Sequence, residues 1–122
     1  MDKLELAWET YEFYTNEILV EEEKHVNNIV TLKRFVKANP FPTRHQKSRM
    51  KKKCLETCSS LNQLYNKQSE AISDLIEIHN TYVDIPPHRE IDVVHLVSLK
   101  NLTVTLMHEI QKYKSEIENI LN

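Results

Sequence analysis

Asn39-Pro40-Phe41-Pro42, followed directly by Thr43-Arg44-His45-Gln46, is the stretch that decides the fold. Neither proline can extend a helix, because each lacks an N–H and restricts the residue before it. Thr43 and Gln46 match the T-x-x-Q capping box that opens one. One helix therefore ends and another begins within a short turn, and short turns favour antiparallel neighbours. Asp84-Ile85-Pro86-Pro87 makes a second break, and Pro87 suits the first turn of a third helix.

The three pieces between the breaks each carry helical periodicity. Asp2 can cap the first, with Glu5 returning the bond as a D-x-x-E variant of the box. Leu4, Trp8, Tyr11, Ile18, Ile29, Leu32 and Val36 then share one seam, interrupted by Thr15, Glu22 and His25. The second seam holds Met50, Cys54, Leu61, Tyr65, Ile72, Leu75, His79 and Tyr82, with Cys58 one turn beyond Cys54. The third holds Leu96, Leu99, Leu106, Ile110, Tyr113, Ile117 and Ile120, with Asp92 and Thr103 as its polar members. The reading is all-α: helices at about 2–38, 43–83 and 87–121 in a single up-down-up antiparallel bundle, over three-quarters helical and without a sheet. The alternative shares these helices between protomers in a dimeric coiled coil.

The 122 residues contain no glycine. Positive-φ turns, P-loops, dinucleotide fingerprints, EF-hand loops and a G-x-S-x-G elbow are therefore hard to build, and most enzyme vocabulary is excluded. No apolar run is long enough to span a bilayer, and the opening Met1-Asp2-Lys3-Leu4-Glu5 has no signal-peptide core. Two cysteines exclude a disulfide framework and suit a reducing compartment. An intracellular protein, cytoplasmic or nuclear, is expected.

Charge is the main asymmetry. Lys33, Arg34, Lys37, Arg44, Lys47, Arg49, Lys51, Lys52 and Lys53 form a block of nine bases with no acid among them, in a chain of net charge −2. An up-down-up bundle gathers them at one tip, where they attract polyanions. Phe35 and Phe41 interleave with them and are placed to stack or insert, and Ser48 is a candidate phosphorylation switch. The bland alternative is a solvated helix end neutralised by Glu116 and Glu118 of the third helix.

The third helix is also apolar off its seam. Val93, Val94, Val97, Leu102 and Val104 exceed what one buried stripe needs, so this helix either sits deepest in the bundle or meets another chain. A protein partner or self-association is expected, with nucleic acid at the basic tip as the alternative ligand.

Metal and catalytic readings fare less well. Glu22-x-x-His25 and Asp92-x-x-His95 resemble the Glu-x-x-His pairs of ferritin-like di-iron proteins. In a parallel first and third helix, however, Asp92 lies level with about residue 7, some 20 Å from residue 22. Cys54, Cys58, His25 and His108 have the composition of a zinc site, but His108 lies nearly opposite Leu106 around its helix. The cysteines read as small core hydrophobes. No metal, cofactor, catalytic residue or small-molecule substrate is expected, and Glu22 and His25 are read as register-setting polar positions. The long-helix layout with its early Trp8 resembles a spectrin-type repeat in outline. The opening Asp2-Lys3-Leu4-Glu5-Leu6 is similar to the start of a small subunit of the spindle and kinetochore-associated complex. Neither resemblance supplies a functional residue.

Overall fold

The computed structural model describes residues 2–81 and 93–122. It contains α1 (Lys3–Ala38), α2 (Arg44–Thr81) and α3 (Val93–Leu121), with no strand among the described residues. Helices make up 94% of these residues, and the all-α three-helix bundle read from the sequence is the fold. The expected third-helix start at Pro87, and the seam residues Tyr82 and Asp92, lie outside the described residues.

The breaks form as their chemistry requires. The Asn39 backbone N–H and side-chain Nδ2 both donate to the Phe35 carbonyl at 3.0 Å, closing α1 ahead of Pro40. Thr43 and Gln46 make both bonds of the capping box: Gln46 N–H to Thr43 Oγ1 at 3.1 Å, and Thr43 N–H to Gln46 Oε1 at 2.8 Å. Asp2 accepts from the Glu5 N–H at 2.8 Å. This is half of the expected box, as the return bond from Glu5 is absent among the described residues. No described residue adopts positive φ, so the described part of this architecture needs no glycine.

Cross-helix pairs fix the directions. Asn28 meets Thr57 and Thr15 meets Gln68, while Gln68 meets Thr103 and Lys51 meets Asn122. α2 is therefore antiparallel to both neighbours. It is also the central helix: α1 and α3 each pack along it, yet bring no Cα atoms within 8 Å of one another. Of the two placements expected for α3, deepest in the bundle or against another chain, this overturns the first. Leu61, Ile72 and Leu75 of α2 are fully buried, as are Cys54 and Cys58.

Two apolar clusters stack along the bundle. One gathers Ile18, Leu32, Leu61, Tyr65, Ile110 and Ile117 with the cysteines, and the other Ala7, Ile72, Leu75 and Leu96 beside Trp8 and Tyr11. A polar layer lies between them. Gln68 donates from Nε2 to Thr15 Oγ1 at 3.1 Å and accepts at Oε1 from Thr103 Oγ1 at 3.2 Å. One α2 amide thus ties the polar interruptions of both outer seams, and a shift by one turn would leave Gln68 without its partners, while Thr15 and Thr103 keep their own-helix bonds to the Tyr11 and Leu99 carbonyls. This is the kind of buried polar layer that fixes register. The seam is shifted at the end of α3, where Leu121 is buried and Ile120 is 54% exposed.

Candidate functional site

Because α1 and α3 flank α2 without closing on each other, a groove runs between them with α2 as its floor. Its two hollows, about 310 and 290 Å³, share Ile29, Lys33 and Tyr113 as walls. On the α1 wall Val26 is 58% exposed, and Val30 and Val36 are exposed beside it. On the α3 wall stand Tyr113, 44% exposed, and Ile120. Leu19, seven residues before Val26, and Leu102, eleven before Tyr113, extend the two rows at the spacings that keep one helix face. Both are exposed.

The floor of the groove is mainly apolar, with Leu61 and Tyr65 of α2 beside Leu32, Ile110 and Ile117, and a few buried polar groups lie at or just beneath it. His25 packs edge-to-face on Tyr113, with ring centroids 5.7 Å apart, and its Nδ1 lies 4.0 Å from Cys58 Sγ. Burial holds the His25 imidazole below its ordinary value, against the opposing pull of Glu22. Burial and the neighbouring Cys54, opposed by Lys114, push the Cys58 thiol up to about 11. The Cys54 thiol is raised by burial too, partly offset by Lys53. Tyr65 keeps its proton well beyond the usual phenol range through burial, then the charge and hydrogen bond of Glu22, then the charge of Glu109. The two thiols and the phenol are held protonated, opposite to the thiolate or phenolate a nucleophile requires.

Two measurements follow from these environments. At about pH 8 a thiol with its pKa near 11 is ionised in roughly one molecule in a thousand. Cys54 and Cys58 should therefore resist a thiol reagent in the native protein and react promptly in denaturant. Prompt labelling of either native cysteine would contradict the burial. For His25 the sign is equally definite. Its folded pKa lies below the unfolded value, so the unfolded chain binds the extra proton and stability is lost as pH falls through about 6.5 toward the folded value. His25→Gln should reduce the loss in urea midpoint between about pH 7.5 and about pH 5.5. An unchanged loss would place the acid sensitivity elsewhere.

At the 39–42 turn the basic segment forms one end of the bundle. Lys33, Arg34 and Lys37 end α1, and Arg44, Lys47, Arg49, Lys51, Lys52 and Lys53 begin α2. Asn28 secures the two helices behind them, donating to the Lys53 carbonyl at 3.2 Å and to Thr57 Oγ1 at 3.3 Å. Lys51 donates to Asn122 Oδ1 at 3.1 Å, which places the end of α3 beside the tip. Among the described residues the ion pairs are Lys24 with Glu21 and Lys67 with Glu70. Glu116 and Glu118 therefore reach the neighbourhood of the tip without pairing to its bases.

The sequence-derived interface on α3 divides between faces. Leu102 belongs to the groove wall. Val97 and Val104, seven residues apart, share the opposite flank, while Val94 is 70% exposed and Val93 half-buried. Leu102 and Val104 are two residues apart, about 200° around the helix. The α1 half of the groove was missed by the sequence reading, although Val26 and Val30, apolar and off the seam at an i, i+4 spacing, carried the same signal as α3. Of the zinc candidates, His25 and Cys58 meet, the Cys54 thiol turns to the Asn28 carbonyl at 3.8 Å, and His108 is exposed on α3. No group of three or more ligating side chains suited to a metal occurs among the described residues. No protein-family model, curated protein or solved structure matches the chain.

Proposed function

We propose that the chain is a non-enzymatic helical adaptor, whose α1–α3 groove takes an amphipathic helix from a partner protein. The observation that carries this reading is the pair of exposed apolar rows, Val26, Val30 and Val36 facing Tyr113 and Ile120, on either side of a groove floored by α2. Two helices lying parallel on a third leave room for a fourth, and a four-helix bundle buries what three cannot. Helix-in-groove docking reads out such rows at i, i+4 and i+7 spacings. The protonated state of Cys58 and Tyr65 supports a role without covalent chemistry. Val97 and Val104 offer a smaller second surface on the far flank of α3.

The basic tip is the adaptor's other surface and binds an anionic partner. A second reading makes this tip the main site, in a nucleic-acid-binding accessory protein contacting the phosphate backbone through residues 33–53. The lack of ion pairs to those bases among the described residues favours it. The acidic remainder of the chain favours the adaptor, since dedicated nucleic-acid binders carry basic charge across the domain. Purification of the tagged chain from its native source separates the two. A stoichiometric protein partner that survives nuclease supports the adaptor, and nuclease-sensitive nucleic acid without one supports the second reading.

A further inference from the structure

Phe41 is 94% exposed, the most open large apolar side chain among the described residues, and it stands at the apex of the α1–α2 turn. An isolated exposed aromatic is ordinary; one placed at the apex of a basic collar is not. Pro40 and Pro42 flank it and have no N–H to desolvate. Asn39 donates its N–H to Phe35, and Thr43 donates its own to Gln46. The apex therefore presents an aromatic ring with few unsatisfied backbone donors, the condition for entering a membrane interface cheaply. Behind the turn lies a hollow of about 230 Å³ lined by Phe35, Val36, Asn39, Pro40, Pro42 and Lys47 together with the end of α3, and Phe41 takes no part in it.

We propose that this end of the bundle docks on an anionic lipid bilayer, with Phe41 inserted among the acyl chains and Lys37, Arg44 and Lys47 against the headgroups. The proposal rests on the reading of the tip as a binding surface and names its ligand. Lys37 is one residue from the end of α1, Arg44 begins α2, and Lys47 follows about 4.5 Å further along. Lys37 and Arg44 stand at the helix ends next to the turn and Lys47 one turn into α2, whereas Lys51, Lys52 and Lys53 start about 10 Å along α2, more than a Debye length of about 8 Å from its start. A bilayer met end-on feels the first three most. A nucleic acid lying along the basic face of α2 would use Lys51 to Lys53 as fully, and would stack an aromatic beside its phosphate contacts and not ahead of them. One aromatic with a few bases anchors reversibly, as for other two-signal interfacial attachments.

The test is co-sedimentation of the full chain with vesicles of phosphatidylcholine, alone or mixed equally with phosphatidylserine. Binding is expected to the mixed vesicles only, and to weaken at higher salt. Phe41→Ala should reduce it by at least about tenfold, with helicity unchanged because the side chain touches little. Lys47→Glu should reduce it by about fivefold or more, and by more than Lys52→Glu. Phe41→Trp should retain binding and shift its emission to the blue on mixed vesicles, a direct sign of insertion. Binding indifferent to Phe41→Ala overturns the proposal. So does binding to a DNA duplex with none to vesicles, which leaves the tip a binding surface of another kind. Binding to neither overturns both this proposal and the reading of the tip on which it rests.

Discussion

Leu61→Ala is expected to destabilise the protein by about 2–5 kcal/mol. Leu61 has no exposed surface and lies in α2 within the cluster built by Ile18, Leu32, Ile110 and Ile117 of the outer helices. Its removal opens a cavity between three helices, and the Gln68 layer with Thr15 and Thr103 opposes the sliding that would close it. A domain of this size has about 5–15 kcal/mol in total, so the urea midpoint should fall by a large fraction. Val97→Ala, on the exposed flank of α3, should stay within about 0.5 kcal/mol. Equal midpoints for the two variants would refute α2 as the central helix.

Val26→Glu combined with Ile120→Glu is expected to weaken partner binding more than about a hundredfold while leaving helicity and urea midpoint near those of the parent. Both side chains are more than half exposed in the free chain, so the glutamates stay hydrated there. A docked helix would bury them among Val30, Val36 and Tyr113 without a counter-charge, and an unpaired buried carboxylate costs several kcal/mol. Each 1.4 kcal/mol is about tenfold in affinity. Titration of the purified partner against both forms measures it. Val97→Glu on the far flank should have a much smaller effect, and the reverse ranking would move the interface to the Val97–Val104 row.

Much of this fold was legible because local chemistry and pattern agree. Thr43 and Gln46 could be read as a capping box from four letters, and the box forms with both its bonds. Asn39-Pro40-Phe41-Pro42 could only be a break, and the nine bases had to gather beside it. The polar seam residues were visible as exceptions, but not what they do. Thr15 and Thr103 meet across the bundle at Gln68, which sits on the α2 seam at the step between Tyr65 and Ile72, a polar member that the reading of that seam passed over. Glu22 and His25 read as register positions, with a face toward solvent or a second chain as the alternative; both line the groove, His25 beside Tyr113 and Cys58.

The groove itself was half legible, for a geometric reason. A seam shows which residues face inward, but not whether two helices on a common neighbour also close on each other. Val36, Tyr113 and Ile120 sit on their seams and are nonetheless exposed, because α1 and α3 diverge around α2. The surplus apolar character of α3 was correctly noticed, yet Leu102 and Val104 fall on opposite flanks, and the partner row on α1 supplies the other wall.

The adaptor reading is tested most directly by photo-crosslinking from single positions in the full chain, expressed in its native cell. A benzophenone side chain at Val26 or Ile120 sits on opposite walls of the groove, and one at Leu6 sits on an exposed part of α1 outside it. The expected result is one shared partner adduct from Val26 and Ile120 and none from Leu6, with the crosslinked partner peptides mapping to one amphipathic helix. Absence of adducts from both groove positions, or the same adducts from Leu6, would contradict a groove that receives a helix.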